Sequence, residues 1–199
     1  MGKIFYLMGK SSSGKDTIYK LLLEKKELNL KTIVLYTTRP IRIGETAGVE
    51  YHFVSEDDLR DIEESGKLIE LRAYNTFHGV WKYFTVADNQ IDLERNDYLI
   101  IGTLESYNKT KKYYGEKYLV PIMIDLDDGI RLQRALDREK IQENPKYQEM
   151  CRRYLADDAD FSEDKVKEAN ITRFFYNDDL EKCLKEIIQY MEENNLPRR

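Results

Sequence analysis

The sequence predicts an α/β fold in which an open parallel sheet is wrapped by helices, and three observations lead to this prediction. The first is an apolar run of strand type at residues 3–8, followed by a glycine-framed loop and a helical pattern. The second is a further apolar run at residues 31–36, which completes the strand, helix and strand order typical of a parallel sheet. The third is the alternation of strand and helix patterns over the second half of the chain. A ligand is therefore expected at the carboxyl ends of the strands.

The remaining elements follow from hydrophobic periodicity and from residues that begin or end helices. A capping-box pattern at Ser55 to Asp58 predicts a helix that reaches about residue 64. Pro121 favours a place near a sheet edge, or a strand start, for the run 119–124. Extended segments are predicted at 51–54, 68–74, 77–84, 98–101, 119–124 and 171–176. Further helices are predicted near 86–94 and at 104–114, 127–140, 147–157 and 179–194.

The length of 199 residues suits one domain that carries a small insertion or lid. We expect the core to comprise about 1–36 and 86–199. The strand-rich block at about 37–85 is expected to fold as a small sheet over the active cleft, and a lid is expected at about 137–153. The sequence therefore predicts one domain with two attached segments that flank a ligand site.

Composition and charge exclude several classes of partner. The chain carries 32 lysines and arginines against 37 aspartates and glutamates, so neither a nucleic acid nor a membrane surface is expected as the main partner. No leader pattern or membrane-span pattern is visible, which predicts a cytoplasmic protein. Cys151 and Cys183 are too few and too far apart for a metal knuckle or a disulfide scaffold. His52 and His78 cannot by themselves build a histidine-rich metal site.

The segment between the first strand and the first helix has the form of a phosphate-binding loop. It reads Gly-Lys-Ser-Ser-Ser-Gly-Lys-Asp-Thr over residues 9–17. Glycines at both ends let successive backbone N–H groups point inward at a polyphosphate, and the lysine adds a positive charge for the outer phosphates. The N-terminus of the following helix contributes the positive end of its dipole. The residues expected to bind the polyphosphate are Gly9, Ser11, Ser12, Ser13, Gly14, Lys15, Asp16 and Thr17.

One position departs from the usual form of this motif. The residue after the lysine, normally the serine or threonine that holds Mg²⁺, is Asp16. A carboxylate is a good oxygen ligand for Mg²⁺, so Asp16 could bind the metal directly or through water, with Thr17 as a second candidate. Alternatively, Asp16 only complements the positive end of the helix dipole.

A second segment, residues 37–54, is expected to bind another phosphate. It places Arg39 and Arg42 three residues apart, followed by a glycine-bearing turn and by Tyr51. Arginine forks match phosphate geometry bidentately, and a tyrosine hydroxyl can donate one more hydrogen bond. Taken alone, the segment favours a surface loop with two scattered arginines over a phosphate site. Next to a phosphate-binding loop, the pair instead indicates a phosphate acceptor that faces a phosphate donor.

These motifs together strongly resemble those of guanylate kinases, and the resemblance covers nearly the whole chain, from Gly9 to the Asn-Asp-Asp-Leu segment that begins at Asn177. It implies a P-loop kinase fold with a small mixed-sheet insertion for the nucleoside monophosphate and with a lid. It also implies phosphoryl transfer from ATP to GMP or dGMP, with Mg²⁺ as the cofactor. The partners are then small nucleotides, and a monomer or a homodimer is expected.

The resemblance also implies roles for residues outside the first loop. Glu70 matches the carboxylate that reads guanine, and Asn177 matches the residue that contacts the adenine of ATP. Without the resemblance, Glu70 would also fit a solvent-facing strand position, and Arg134 and Arg138 a solvated charged helix. The residues implied in catalysis are Lys15, Arg39, Arg134, Arg138 and Arg153. Those implied in GMP binding are Arg39, Arg42, Tyr51, Glu70, His78 and Gly79.

Several positions depart from the family pattern around the base pocket and the metal. Either Leu35 or Tyr36 replaces a serine that helps to read guanine, and residues 78–80 read His-Gly-Val in place of Tyr-Gly-Ser/Thr. An acidic pair after the central strand is replaced by the segment around Gly102. These changes concern base selection more than phosphoryl transfer. Two alternatives stay open: a related kinase that acts on another nucleoside monophosphate or on ribose 1,5-bisphosphate, and a catalytically silent binding module.

Overall fold

The computed structural model describes residues 1–42, 44–76 and 79–195. The strands are β1 (Ile4–Gly9), β2 (Leu30–Thr32), β3 (Leu35–Thr37), β4 (Tyr51–Phe53), β5 (Leu68–Thr76), β6 (Gly79–Val86), β7 (Asp97–Ile101), β8 (Leu119–Asp125) and β9 (Phe174–Tyr176). The helices are α1 (Lys15–Glu24), α2 (Glu56–Glu64), α3 (Leu104–Tyr114), α4 (Asp128–Lys140), α5 (Tyr147–Asp160), α6 (Glu163–Glu168) and α7 (Leu180–Asn195). Within the described ranges, no helix is long and apolar enough to cross a membrane.

The core of the molecule is a five-stranded sheet in the order β2-β7-β1-β8-β9, in which every pair of neighbours is parallel. β1 lies in the middle and is buried along its whole length. Ile4, Tyr6 and Met8 face one hydrophobic cluster that includes α3 residues, whereas Phe5 and Leu7 face another that includes α1 and α7 residues. Helices on both faces explain why this strand reads as a continuous apolar run. The predicted α/β architecture is confirmed.

A second, four-stranded sheet carries the remaining strands in the order β4-β3-β6-β5. β3 pairs with β4 in parallel and with β6 antiparallel, and β5 pairs with β6 antiparallel, so this sheet is mixed. One of its faces packs on α2 through a small cluster around Leu59, Phe84 and Val86. α2 begins with the expected capping box, because the Ser55 side chain accepts from the backbone N–H of Asp58 and the Asp58 side chain accepts in return.

Two predictions of local structure are wrong. The run predicted as one strand at 31–36 divides at residues 33 and 34, so that β2 joins the parallel sheet and β3 joins the mixed sheet. The short helix expected near 86–94 is absent from this described segment. Instead, the Asp88 and Asp92 side chains accept hydrogen bonds from the backbone N–H groups of Gln90 and Glu94, at 3.2 and 3.0 Å. Such local bonds favour turns over a helix.

The last part of the chain differs from the expectation in smaller ways. β9 begins at Phe174 rather than at residue 171, and the short helix α6 before it was not predicted. Pro121 lies inside β8, between β1 and β9 in the sheet order. β9 pairs only with Met123 to Asp125, so β8 has no strand neighbour on that side at Pro121. The proline is therefore tolerated in an interior strand because its outer side is locally an edge.

Candidate active site

The loop from Gly9 to Lys15 connects the carboxyl end of β1 to the N-terminus of α1. Its curvature uses positive φ angles at Ser12 (63°) and at Gly14 (90°), the residue that caps α1. The loop is closed by a hydrogen bond from the backbone N–H of Ser13 to the carbonyl of Lys10 at 3.2 Å. A loop that curls in this way directly before a helix presents its N–H groups to an anion, as the sequence pattern predicts.

Asn177 holds the back of this loop. Its backbone N–H donates to the carbonyl of Asp125 at 2.9 Å, which ties it to the end of β8. Its side-chain Nδ2 donates to the carbonyl of Ser13 at 2.7 Å. Both Ser13 and Asn177 are buried, and the Ser13 hydroxyl and the Asn177 Oδ1 have no hydrogen-bond partner among the residues that the structure describes. Buried polar atoms of this kind are rare in proteins and are consistent with groups that await a ligand.

Helix α4 brings Arg134 and Arg138, two of the arginines that the resemblance implies in catalysis, to the loop. Arg134 Nη2 donates to the carbonyl of Asn177, and Arg138 Nη2 donates to the hydroxyl of Ser12, each at 3.4 Å. The four-residue spacing of these arginines places both on one face of the helix. Arg153 is different, because it lies exposed on α5 and donates to Glu149 of its own helix at 2.8 Å.

A buried arginine that the sequence analysis missed, Arg131, also holds the loop. Its Nε donates to the carbonyl of Ser11 at 3.1 Å, and its other nitrogens pair with Asp128 and, at 3.4 Å, with Asp157. Asp157 in turn accepts from the backbone N–H of Ser11 at 2.7 Å. The ion pair between Arg131 of α4 and Asp157 of α5 therefore holds both helices against the loop, because each of the two residues also bonds to Ser11. A charged residue on a charged helix gave no signal that would distinguish Arg131 from its exposed neighbours.

Lys15 and Asp16 lie at the start of α1, where the loop ends, and they carry opposite charges. The Lys15 ammonium lies 3.6 Å from a carboxylate oxygen of Asp16, whose side chain is 78% exposed. Asp16 and Thr17 offer oxygen atoms of the kind that Mg²⁺ prefers, and both are exposed. Among the residues that the structure describes, no group of three or more acidic, histidine or cysteine side chains could hold a metal. These residues fit a metal ion that is held mainly by phosphates and water, with a single protein carboxylate.

The second expected phosphate loop centres on Arg39, which is buried. Its two terminal nitrogens donate to the Glu45 carboxylate at 2.7 and 2.5 Å, and its guanidinium lies 5.1 Å from the ring centre of Tyr51. Arg39 Nε is buried and has no hydrogen-bond partner in the described part of the chain. Glu45 also accepts from the backbone N–H of Arg42 at 2.8 Å. Glu45, which the sequence analysis did not single out, therefore fixes the shape of the loop and the orientation of Arg39.

This ion pair predicts a specific dependence of stability on pH. Hydrogen bonds from Arg39 lower the pKa of Glu45 from its usual 4.5 to about 2. A carboxyl whose pKa is depressed on folding stabilises the protein above its usual pKa, and this contribution is lost as the pH falls through the folded value. We expect Glu45→Gln to lower the urea unfolding midpoint at pH 7, and the two proteins to converge between pH 4.5 and about 2.

Urea unfolding of wild type and variant at several pH values measures this effect. Glu143→Gln, which changes an exposed glutamate outside the loop, is the matched control and should leave the midpoint unchanged. An equal difference between wild type and Glu45→Gln at pH 7 and at pH 2.5 would contradict the assignment.

Three more of the residues that the resemblance implies in GMP binding, Tyr51, Arg42 and Gly79, lie at or near the mixed sheet. Tyr51 begins β4, and its ring contacts Tyr83 of β6 at 5.5 Å between ring centres. The Arg42 guanidinium lies 5.7 Å from the ring centre of Trp81. Gly79 begins β6 with a φ of 107°. His78, which was expected to bind the acceptor phosphate, lies outside the described residues.

Glu70 lies on β5 directly after a shift in the register between β5 and β6. It is buried and accepts three hydrogen bonds from protein groups. Thr85 Oγ1 donates to Glu70 Oε1 at 2.9 Å, while Arg72 donates through Nη2 to Oε1 at 3.2 Å and through Nε to Oε2 at 3.1 Å. Arg72 was not identified from the sequence. An irregularity of this kind re-aims a side chain, here toward the partner strand.

The strand register resolves which residue replaces the expected serine. Leu35 pairs with Tyr51, and so it lies on the same face of the mixed sheet as Tyr51. Tyr36 lies on the opposite face, where it stacks on Phe84 at 5.6 Å between ring centres. Leu35 is therefore the residue on the ligand-facing side, and it offers no hydrogen bond.

Gly102 is required by a buried tyrosine rather than by a ligand. A Cβ atom at this position would lie 2.6 Å from the Tyr6 hydroxyl and 2.8 Å from the Ser106 hydroxyl. These two hydroxyls are hydrogen-bonded to each other at 2.7 Å. Burial raises the pKa of Tyr6 to about 12, so its hydroxyl stays protonated and can donate. A neutral pair of hydroxyls thus lies beside Gly102, directly after β7, where the family pattern has acidic residues.

Comparison with known proteins gives the same result from sequence and from structure. The guanylate kinase family model matches residues 1–92. A guanylate kinase of Mesomycoplasma hyopneumoniae is 28% identical over 194 residues, which cover 94% of this chain and 92% of that protein. A guanylate kinase of Caldanaerobacter subterraneus subsp. tengcongensis is 32% identical over 145 residues, which cover 70% of this chain and 68% of that protein.

A solved structure agrees with the fold. The crystal structure of guanylate kinase from Anaplasma phagocytophilum superposes with a TM-score of 0.67 and 18% sequence identity, covering 98% of this chain and 87% of that chain. At this identity the similarity concerns the fold alone. The family model, over residues 1–92, spans the phosphate loop and the arginine loop described above. On these grounds the chain belongs to the guanylate kinase family.

Proposed function

We propose that the protein transfers the γ-phosphoryl group of ATP to GMP or dGMP. The observation that supports this proposal is that the chain has two separate loops suited to bind an anion, one at the end of β1 and one around the buried Arg39 beside the mixed sheet. A single-anion site needs one such loop, whereas a donor and an acceptor need two. The relatives named above are guanylate kinases, which supports the choice of acceptor.

The donor loop supplies most of the charge for the reaction. The backbone N–H groups of the Gly9 to Lys15 loop bind the phosphates, and Lys15 places a positive charge beside them. Arg134 and Arg138 already contact the loop region from α4. Charge spreads over the oxygens of the phosphoryl group as it transfers, so cations fixed at this position stabilise the transition state more than the ground state.

The acceptor loop holds the nucleophile. Arg39, Arg42 and Tyr51 bind the phosphate of the monophosphate, and Glu45 keeps Arg39 oriented toward it. An oxygen of this phosphate attacks the γ-phosphorus, and the bond from that phosphorus to the bridging oxygen breaks, leaving its electrons on ADP. The attacking oxygen is already anionic, so no general base is required.

Closure of two segments around the nucleotides completes the proposal. We propose that residues 37–85 act as the monophosphate-binding insertion and residues 137–153 as the lid. Closure excludes water, which would otherwise accept the phosphoryl group. Arg153 would have to leave Glu149 to reach the phosphates, and Asn177 would contact adenine from its place beside Ser13. The proposal also places the reaction in the cytoplasm, where both nucleotides are available, with the protein as a monomer or a homodimer.

Mg²⁺ is the expected cofactor, with Asp16 as its protein ligand and Thr17 as a second candidate. When bound, it neutralises charge on the transferring phosphates. We expect Asp16→Ala to raise the Mg²⁺ concentration for half-maximal activity about tenfold, because one of few protein oxygens is removed. Titration of activity with Mg²⁺ measures this effect, with Thr17→Val compared in parallel. An unchanged midpoint in Asp16→Ala would leave Asp16 with only a helix-dipole role.

The direct test is ADP release by purified protein with Mg-ATP and a panel of acceptors: GMP, dGMP, AMP, CMP, UMP, dTMP and ribose 1,5-bisphosphate. Turnover is expected with GMP and dGMP. Turnover with ribose 1,5-bisphosphate alone, or none with any acceptor while ATP still binds, would overturn the proposal. The second outcome would point to a silent binding module, against which the formed phosphate loop and its arginine contacts argue.

A further inference from the structure

Glu70 has little capacity left for a base, because protein groups already use its oxygens. Three hydrogen bonds reach its carboxylate, two of them from Arg72, and the Glu70 side chain is only 1% exposed. A carboxylate accepts about four hydrogen bonds in total. Guanine needs two of them side by side, for its N1–H and its 2-amino group. Glu70 cannot offer both while Arg72 is in place.

Arg72, and not Glu70, lines the cavity next to this pair. The cavity has a volume of about 490 Å³ and lies between β5 of the mixed sheet and the helices α3 and α6 of the core. Arg72 and Tyr74 form its wall on the sheet side, and Thr103 and Asn108 lie on the other side. From within the cavity, the exposed hydrogen-bonding group of the Glu70–Arg72 pair is therefore a donor and not an acceptor.

The cavity lies on the same side of the sheet as the Arg39 loop. Arg72 pairs with Tyr83 across β5 and β6, so the two side chains share a face. Tyr83 contacts Tyr51 at 5.5 Å and Tyr74 at 5.7 Å between ring centres. A row of three tyrosines thus runs from the expected phosphate site to the cavity wall. A nucleotide whose phosphate lies at Arg39 would direct its base along this row toward Arg72.

We propose that Arg72 reads the acceptor base through a carbonyl oxygen and a ring nitrogen, and that Glu70 is the residue that positions Arg72. This inference rests on the proposed function and specifies its acceptor. The guanidinium fork matches the O6 and N7 edge of a 6-oxopurine, the commonest pairing of arginine with guanine. Leu35, on the same face, offers no donor to this edge, so Arg72 supplies a donor in place of the expected serine.

An arginine that reads O6 and N7 selects among purine bases differently from an unpaired carboxylate that reads N1–H and the 2-amino group. O6 and N7 are present in guanine and in hypoxanthine, whereas adenine has a donor at position 6. Glu70 does not read the 2-amino group, which hypoxanthine lacks. The protein should therefore accept GMP and IMP alike and reject AMP, because the 6-amino group of adenine faces an arginine donor and leaves it unpaired.

The test is the kcat/KM of the wild-type protein for GMP, IMP and AMP at saturating Mg-ATP. We expect IMP to lie within tenfold of GMP and AMP to be at least about 100-fold lower. IMP more than tenfold below GMP would overturn the inference, since loss of a hydrogen bond to a charged group costs about 10- to 100-fold. That result would leave the proposed function intact. An absence of turnover with all three would overturn both.

Two variants separate a base-reading arginine from a structural one. Arg72→Ala frees the Glu70 carboxylate, so activity should fall and the preference for GMP over IMP should rise above tenfold. Arg72→Lys keeps the charge opposite Glu70 and should lower GMP and IMP activity equally, by about tenfold, because the fork is lost. It remains informative if Arg72→Ala does not fold.

Glu70→Gln completes the set. If Glu70 positions Arg72, this substitution should lower kcat/KM for GMP and for IMP by the same factor. If Glu70 read the 2-amino group directly, the substitution would lower kcat/KM for GMP alone. Arg60→Ala, at an exposed arginine that pairs with Asp57 on α2, is the control and should alter neither substrate. Unchanged activity in Arg72→Lys, or loss confined to GMP in Glu70→Gln, would overturn the inference.

Discussion

Replacement of Lys15 by methionine is expected to reduce kcat for GMP phosphorylation by about a thousandfold, the cost of removing one fixed group that stabilises transition-state charge. The Lys15 side chain is 21% exposed, and within the described ranges its only ion pair is a loose contact with Asp16 at 3.6 Å. Its charge is therefore available to a ligand rather than committed to the fold. Methionine has a similar length and no charge, so thermal stability should change little. ADP release and a thermal melt measure the two effects.

Lys10 provides the matched control within the same loop. Its ammonium is committed to Asp158 at 2.7 Å, with Asp128 at 3.7 Å. Lys10→Met should change stability by about 1 kcal/mol or less, since exposed ion pairs contribute little. Its kcat should stay within about threefold of wild type, because no transition-state contact is removed. If Lys15→Met kept a tenth of the wild-type kcat, Lys15 would not be the cation that faces the transferring phosphates.

Replacement of Gly14 by alanine is expected to destabilise the protein by about 3 kcal/mol and to abolish ATP binding. Gly14 has a φ of 90°, and an added Cβ would lie 2.2 Å from Nδ2 of Asn177. Relief of this clash displaces Asn177 and breaks its bond to the buried Ser13 carbonyl. Strain and the unpaired carbonyl together give the estimate, which corresponds to a melting temperature lower by about 6–12 °C.

Gly66→Ala separates strain from the clash. Gly66 also has a positive φ, of 70°, but nothing lies within 4 Å of the position of its Cβ. This change should cost only the strain of a left-handed residue, about 1–2 kcal/mol, and should leave ATP affinity unaltered. Equal effects of the two substitutions on stability and on ATP affinity would show that the contact of Gly14 with Asn177 has no role.

Most of the fold was predictable because the parallel sheet reads clearly in the sequence. β1 is buried on both faces and appears as a continuous apolar run, and α3 was predicted with its observed bounds. The errors occurred where local and tertiary preferences compete. No periodicity marks the break at residues 33 and 34, because apolar residues continue from one sheet into the other. Around Asp88 and Asp92, side-chain bonds to the backbone favour turns over the helix that periodicity predicts.

The site was predictable where a motif fixes the backbone and not where charges pair through space. The phosphate loop and the arginine loop follow from glycine and arginine spacing alone. Arg131 and Arg72 do not, because each is one of many charged residues until the fold buries it against a specific carboxylate. The family resemblance implies a role for Glu70, but it gives no indication that Arg72, two residues later on the same strand face, pairs with it.

The phosphate loop depends on parts of the chain that are made much later. Its Ser11 and Ser13 carbonyls accept bonds from Arg131 and Asn177, which follow 120 and 164 positions further along. During synthesis, the glycine-rich segment therefore emerges long before the side chains that hold its shape, at about 5–20 residues per second. A nascent chain without Asn177 has the complete motif but lacks the hydrogen bond that supports it. Nucleotide binding should thus appear near the end of translation and cannot guide the folding of the first half.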